Sequence, residues 1–204
     1  MSRLDSTQSY AQLIDPPPTQ VVEADLPPFR YLMIDGAGGP LAPRYQDAIT
    51  TLYAVAHALQ RALQPGIDFA IGPIETLWWA DAPGGLHLTD PADWRWTAMI
   101  VVPDGVGEAH LAAAIDGLRR ETPKVLLLDP VRIETFDEGA CVQIMHVGPY
   151  AADTEASRRL RDYMTDNGIA ARGHHHEIYL TDPRTTAPEL MRTVIRQPVH
   201  LPEP

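Results

Sequence analysis

The chain has 204 residues, of which 45% are hydrophobic and 21% charged, and this ordinary globular composition excludes wholesale disorder, a collagen-like repeat and a disulfide scaffold. Twenty-seven acidic against sixteen basic residues give a formal charge of −11, which repels phosphate backbones and argues against direct nucleic-acid binding. The single cysteine, Cys141, excludes an internal disulfide and a cysteine-based zinc site. The polar amino terminus and the lack of a long apolar run predict a cytoplasmic protein without a membrane span.

The first half of the chain alternates short apolar runs with one long amphipathic segment. Residues 1–18 are polar, with three consecutive prolines, and are predicted to form an arm that lies on the surface or is partly disordered, ahead of a domain over 19–204. Apolar residues at steps of three and four predict helices, and runs rich in aromatic and β-branched residues predict strands. The predicted elements of the half at about 19–104 are a strand at Phe29–Asp35, a helix at Pro43–Leu63 and strands at Ile74–Trp79 and Trp94–Val102. A further helix at about 107–121 is expected to act as a linker.

The second half, at about 129–200, repeats this order of elements. Val131–Tyr150 can be laid over Val21–Pro40 without gaps, so that Gly148 falls on Gly38. The repeat continues with a helix at Ala152–Asn167 and strands at His175–Thr181 and Met191–Pro198. We therefore expect an α+β domain of two pseudo-twofold βαββ units, with two antiparallel sheets and their helices around a shared central cleft.

Two glutamates, Glu75 in IETLWW and Glu177 in HHEIYL, lie in otherwise apolar or aromatic strands, at the same predicted place in the two halves. Each either pairs with an arginine or points outward, or serves a ligand, because a buried ionised carboxylate without a partner is costly. Strand alternation places Trp79 on the face of Glu75 and Tyr179 on the face of Glu177. Such a pocket favours flat lipophilic molecules that are cationic or electrophilic. Its apolar walls are expected to raise the pKa of the carboxyl group, making it a general base for activating water.

Other residues give weaker indications. Trp96 belongs to a hairpin that contains all four tryptophans, and it is either a wall of the same pocket or core filler. Tyr150 follows a Gly-Pro pair in a turn, where it either closes one side of the cleft or packs locally. The run of three histidines that begins at His174 alternates faces along a strand, so no metal site is predicted. The alternative is a strand entry in which one imidazole hydrogen-bonds Glu177 or a neighbouring carbonyl group. No pattern predicts a cofactor, and the GxSxG nucleophile motif is absent.

Several stretches resemble the GyrI-like family of small-molecule-binding proteins. HVGPY at 146–150 and HHEIYLTDPR at 175–184 resemble the carboxy-terminal signature of the family, and IETLWW at 74–79 with WRWTAMIVVP at 94–103 resembles its stand-alone branch. The resemblance covers about residues 20–200. It implies a duplicated SHS2-type fold around a ligand cleft, shared with SOUL proteins and with the effector-binding domains of multidrug-responsive transcription activators.

The resemblance also implies roles for individual residues. In the regulators a buried glutamate meets lipophilic cations, and Glu177 matches it by position. Members of the stand-alone branch are implied to hydrolyse cyclopropane-bearing genotoxins of the duocarmycin and yatakemycin type. Carried over to this chain, Glu177 would be the catalytic base, Trp79 and Tyr179 the stacking walls, and Tyr53 a hydroxyl partner.

The resemblance leaves several functions open. The cleft either hydrolyses its ligand or acts as a non-catalytic module that sequesters or senses lipophilic compounds. A gyrase-inhibitor activity also comes with the family, although no separate feature of the chain supports it. Haem binding, as in SOUL proteins, would need His146 or His174 as an axial ligand. Because only about twenty residues precede the first strand, we expect no DNA-binding module, and a lipophilic small molecule rather than nucleic acid or membrane as the partner.

Overall fold

A computed structural model describes residues 10–11, 13–63, 70–81, 86–121, 127–151 and 153–200. It has the predicted α+β class. The strands are β1 (Val22–Leu26), β2 (Phe29–Ala37), β3 (Ile74–Trp79), β4 (Arg95–Val102), β5 (Arg132–Phe136), β6 (Gly139–Val147), β7 (Ala170–Ala171), β8 (His175–Tyr179) and β9 (Arg192–His200). The helices are α1 (Pro43–Leu63), α2 (Glu108–Glu121) and α3 (Glu155–Asp166). None of the helices in the described ranges is long and apolar enough to cross a membrane.

The strands form one continuous antiparallel sheet in the order β1-β6-β9-β8-β3-β4-β2-β5, with the short β7 paired to β9. The two predicted sheets are therefore joined, and β3 and β8 are the strands that join them. The first strand of each half also pairs with a strand of the other half: β1 pairs with β6, and β5 pairs with β2. This exchange ties the two repeats into a single body.

The strand registers confirm the internal repeat. The overlay of the two halves carries the cross-strand pair Val22–Gln143 onto the pair Arg132–Met33, and both pairs are present in the sheet. A symmetric register of this kind requires a pseudo-twofold axis that runs perpendicular to the sheet between the halves. The axis passes between β3 and β8, which places these two strands at the centre of the molecule.

One expectation about this centre is wrong by one residue. Thr76 pairs directly with Glu177, whereas Glu75 pairs with Ile178. Following the symmetry through β4 and β9 makes His176, not Glu177, the counterpart of Glu75. Because directly paired residues project to the same face and neighbours along a strand to opposite faces, Glu75 and Glu177 lie on opposite faces of the sheet.

Helices cover the two ends of one face and leave its middle open. Helix α1 packs Leu52 and Val55 against Ile100, and the periodic apolar positions that predicted this helix are buried or partly buried. Helix α3 packs Leu160 against Ile144 at the other end. Between them the floor over β3 and β8 is free, and this space is the predicted central cleft.

Helix α3 is shorter than the predicted Ala152–Asn167. The side chain of Thr154 accepts a hydrogen bond from the backbone N–H of Ser157, which caps the helix and makes Glu155 its first residue. Gly168 follows the helix with a φ of 64°, a left-handed conformation that glycine adopts without a steric penalty. Local capping thus sets both ends.

The opposite face of the sheet is covered in part by the amino-terminal arm. Tyr10 and Ile14 are buried against the sheet, and Tyr10 packs edge-on against Phe29 and Tyr31. The expectation of a surface arm is therefore wrong for these positions. Alternation of polar and apolar residues does not reveal such an anchor, because only two side chains are involved.

Candidate functional site

The cleft on the helix-bearing face has a volume of about 1620 Å³, enough for a drug-sized molecule. Its floor is formed by Trp78, Glu177 and Tyr179 on β3 and β8. Helix α1 contributes Tyr53 to one wall, and helix α3 contributes Arg161 to the other. The partly buried carboxylate of Glu177 thus lies among ring faces, close to where the two halves meet.

Glu177 is held through both carboxylate oxygens. Tyr179 donates its hydroxyl hydrogen to Oε2 over 2.6 Å, and Nε2 of His175 lies 3.2 Å from Oε1. The Glu177 side chain is 22% exposed and that of His175 is 24% exposed, so both remain accessible from the cleft. The carboxylate is therefore fixed in orientation and open to a ligand.

The pKa of Glu177 is lowered, not raised as expected from its apolar walls. Burial by itself acts to raise the pKa, but the hydrogen bond and charge of His175, the hydrogen bond of Tyr179 and the charge of His146 outweigh it. The group is consequently a carboxylate anion at neutral pH. This favours a role as a fixed negative charge over that of an acid donor.

Tyr179 connects the carboxylate to the aromatic floor. Its hydroxyl accepts a hydrogen bond of 3.0 Å from Nε1 of Trp78, and its ring packs edge-on against Tyr150 with centroids 5.2 Å apart. Burial first, and then the charge of Glu177, raise the pKa of Tyr179 well above its ordinary value, so it stays a neutral donor. The hydroxyl of Tyr150 donates to the backbone oxygen of Thr181 over 3.2 Å. Tyr150 thus lines one side of the cleft.

Two further predicted residues also line the cleft. Tyr53 faces it from α1, and burial raises the pKa of its hydroxyl. Trp79 alternates away from Glu177, but at the end of β3 its ring stacks on His174, with centroids 4.2 Å apart and planes 15° from parallel. The pair forms a flat surface at one end of the cleft.

Glu75 and Trp96 are not brought to the cleft. Glu75 is fully buried on the opposite face, where its Oε2 accepts the hydroxyl of Tyr10 over 2.6 Å and lies 3.1 Å from Nε2 of His176. Trp96 is fully buried under Gly36 and against Tyr45, and is core filler. The register difference of one residue explains the misplacement of Glu75.

The opposite face instead contains a buried ionic cluster. Nδ1 of His176 donates to Oε1 of Glu138 over 2.8 Å, and Nη1 of Arg196 donates to Oε2 of the same carboxylate over 2.8 Å. Burial alone would lower the pKa of His176, but Glu138 and Glu75 raise it to about 9. Burial would raise the pKa of Glu138, but His176 and Arg196 bring it down to about 2. The cluster lies on the face of β8 opposite to that of Glu177.

Sequence reasoning missed two cleft residues, Trp78 and Tyr45, and it left open which imidazole of the histidine run contacts Glu177, a place that His175 takes. Tyr45 places its hydroxyl 2.7 Å from Oγ1 of Thr76 and its ring centroid 4.9 Å from that of Trp78. Trp78 pairs directly with His175 across β3 and β8, so the two share the face of Glu177. Alternation from Glu177 in the sequence already puts His175 on this face, and the correct register would have added Trp78.

The histidines contact separate partners. Among the described residues no group of three His, Cys, Asp or Glu side chains has the spacing of a metal site. His175 and His176 point to opposite faces, as alternation predicted. Nε2 of His146 donates to the backbone oxygen of Pro149 over 3.0 Å, and His174 stacks on Trp79.

Comparison with known proteins places the chain in a family. The sequence profile of the GyrI-like small molecule binding domain matches residues 19–200. Three solved structures from Listeria innocua are similar to this chain. One is of an uncharacterized conserved protein, with 33% sequence identity and a TM-score of 0.87, and the alignment covers 97% of this chain and 100% of that one. The other two are of hydrolases, each with 32% identity: one has a TM-score of 0.82 and covers 97% of this chain and 100% of its own, and the other has a TM-score of 0.83 and covers 95% of this chain and 98% of its own. No match was found among curated proteins. The chain belongs to the GyrI-like small-molecule-binding family.

Proposed function

We propose that the protein binds flat lipophilic molecules that are cationic or electrophilic, and that it hydrolyses cyclopropane-bearing electrophiles in the cleft. The observation that carries the proposal is Glu177, an ionised carboxylate held by two hydrogen bonds on an otherwise aromatic floor. Ring faces attract flat and cationic molecules, and the carboxylate adds charge attraction in a site of low dielectric. Two solved structures of hydrolases from Listeria innocua, 32% identical to this chain, support the catalytic part of the proposal.

In the proposed reaction the electrophile stacks between the rings of the cleft, with Tyr179 beneath it. Glu177 and the imidazole of His175 together make up the base that takes a proton from a water molecule. The water oxygen bonds to the cyclopropane carbon, and the strained carbon–carbon bond breaks with its electrons delivered to the dienone oxygen. Proximity and a fixed base account for acceleration without a covalent intermediate.

A non-catalytic binding module is the second candidate. The lowered pKa of Glu177 favours it, because a permanent anion among aromatic rings suits a lipophilic cation that is held without reaction. In that case the same residues sequester the ligand or present it to another component. The two candidates differ in whether product forms.

The test is to incubate the protein with a duocarmycin-type spirocyclopropyl dienone and follow loss of the dienone chromophore. Glu177→Gln should lower kcat/KM by about 10²–10⁴-fold, because the base loses its charge. Glu108→Gln, on the exposed start of α2, is the matched control and should leave the rate unchanged. Saturable binding without product would reject the hydrolase and support the binding module.

A further inference from the structure

We propose that the proton acceptor of the site is Nδ1 of His175, and that Glu177 acts through this ring. The inference rests on the proposed hydrolysis and assigns the roles within its base. His175 would then be the catalytic residue that meets the attacking water, and Glu177 the positioning residue behind it.

The hydrogen-bond pattern fixes which ring nitrogen carries hydrogen. Glu177 is ionised, and a carboxylate anion only accepts hydrogen bonds. Nε2 of His175, which lies 3.2 Å from Oε1, must therefore be the protonated nitrogen. In the neutral ring the lone pair is then on Nδ1.

Nδ1 is left available for a proton. Within the described part of the chain this nitrogen has no hydrogen-bond partner. It is also not enclosed, because the fully buried polar atoms that lack a partner there do not include it. The ring lines the cleft beside Trp78, with which it pairs across the strands. Arg161, the cation that α3 contributes to the cleft, pairs with Asp153 over 2.5 Å, so it is directed to an acid of its own rather than to the ring.

Glu177 is better placed to support the ring than to take the proton itself. Tyr179 donates to Oε2 and His175 to Oε1, so each oxygen already accepts a hydrogen bond that the charged form strengthens. A carboxylate behind an imidazole holds the ring in one tautomer and stabilises the imidazolium that forms. A lowered pKa keeps Glu177 anionic and therefore suits this supporting role, whereas it would make Glu177 a weaker direct base.

The proton balance of the step is complete within the site. As the water oxygen bonds to the cyclopropane carbon, one water proton moves to Nδ1 of His175 and the ring becomes an imidazolium paired with Glu177. The electron pair of the broken carbon–carbon bond passes through the ring system to the dienone oxygen, which becomes a phenolate. Transfer of the proton from the imidazolium to the phenolate, directly or through solvent, restores the starting state.

The experiment compares turnover of a spirocyclopropyl dienone by His175→Ala, His175→Gln and Glu177→Gln, with His200→Gln as the control on an exposed strand end. We expect both His175 variants to lose about 10²–10⁴-fold in kcat, with KM changed by less than about threefold. Added free imidazole should restore at least about tenfold of the rate to His175→Ala, which has room for it, and none to Glu177→Gln. Circular dichroism and thermal melting verify that each variant is folded.

The outcomes separate this inference from the proposed function. Wild-type turnover by His175→Ala together with loss in Glu177→Gln would overturn the inference and leave the hydrolase standing, with Glu177 as a direct base. Loss of rate in folded His175→Ala without rescue by imidazole would also overturn it, because the ring would then act only by position. Turnover that persists in all variants would reject the proposed function itself.

Discussion

The hydroxyl of Tyr179 joins two side chains at the centre of the cleft. It accepts from Nε1 of Trp78 and donates to Glu177, so one oxygen satisfies an indole and a carboxylate together. Hydrogen bonds to a charged group are stronger than neutral ones, and a buried partner left without its bond bears the cost of desolvation. The hydroxyl therefore contributes to stability as well as to the orientation of the carboxylate.

Tyr179→Phe should lower the free energy of unfolding by about 1.5–3 kcal/mol, because it removes a hydrogen bond to a carboxylate and leaves the indole of Trp78 without an acceptor. Urea denaturation at pH 7 measures the change. The control is Tyr163→Phe, whose hydroxyl donates to Glu23 over 2.9 Å at the surface and should cost less than about 0.5 kcal/mol. Equal losses in the two variants would contradict the role given to Tyr179.

Residue types and alternation indicated part of this site. Glu177 and Tyr179 could be paired from the sequence because they are two apart on one strand, and the structure brings them into contact. The partner on β3 could not be found in this way, since it depends on a register that the repeat alone leaves uncertain by one residue. That one residue exchanges Trp78 for Trp79 and moves Glu75 to the other face.

At the scale of elements, β2 and β4 approach closely where a glycine meets a tryptophan. A Cβ placed on Gly36 would lie 2.1 Å from Cζ2 of Trp96, a ring that is fully buried. The indole therefore occupies the space a side chain would need. This contact explains why the strand predicted from Phe29 continues through a glycine to Ala37.

Gly36→Ala should destabilise the fold by about 1–3 kcal/mol, because the buried indole of Trp96 has to shift. Gly117→Ala is the matched control on α2: nothing lies within 4 Å of its Cβ position, and alanine should stabilise the helix by about 0.8–1 kcal/mol. Thermal unfolding of both variants gives the comparison. A neutral result for Gly36→Ala would mean that the ring moves without cost.

The elements themselves were largely predictable, for reasons that differ among them. Helix α1 was found with its observed ends, Pro43 and Leu63, because a long apolar stripe with a proline at its start has few alternative readings. The short β7 at Ala170–Ala171 carries no pattern and was not predicted. The joining of two sheets into one depends on contacts between β3 and β8 that are far apart in the chain.

At the scale of the whole molecule, hydrogen bonds and ion pairs connect the described part of the arm, the sheet and the turn before β6. These contacts lie on the face of the sheet opposite to the cleft. The backbone oxygen of Leu13 accepts from Nη2 of Arg196 and from Nε2 of Gln143, each over 3.2 Å. Arg196 in turn pairs with Glu138, and Tyr10 reaches Glu75. Buried charges of this kind depend on every partner, so the contacts of Tyr10 and Leu13 tie the described part of the arm to the sheet.

This ionic cluster predicts how stability depends on pH. His176 has its pKa raised from 6.5 to about 9, so its contribution is complete below pH 6.5 and is lost as pH rises through 9. Glu138 has its pKa lowered from 4.5 to about 2, so its contribution is complete above pH 4.5 and is lost as pH falls toward 2. The free energy of unfolding due to the cluster should therefore be greatest between pH 4.5 and 6.5.

Urea unfolding of the wild type and of His176→Gln across about pH 3–10 measures this dependence. The range extends about one pH unit above the raised pKa of His176. The variant should lose about 3–5 kcal/mol near pH 6, since it removes one of the two cations of buried Glu138, leaving only Arg196, and also removes the cation beside buried Glu75. The gap should narrow as pH rises through about 9, where the wild type loses the same charge. A constant gap across the alkaline range would show that His176 is neutral in the folded protein.

Thr76 and Glu177 pair directly across β3 and β8, and the symmetry of the sheet makes them each other's counterparts. Directly opposed residues in antiparallel strands have Cα atoms only about 4.5–5.5 Å apart. If the two halves were identical, a glutamate here would face its own copy, and like charges directly opposite each other destabilise a sheet and raise the pKa of one of the two carboxyl groups. The difference between the two halves at this position, a hydroxyl in one and an acid in the other, therefore leaves one carboxylate at the centre of the sheet free of a like-charged neighbour across the strands.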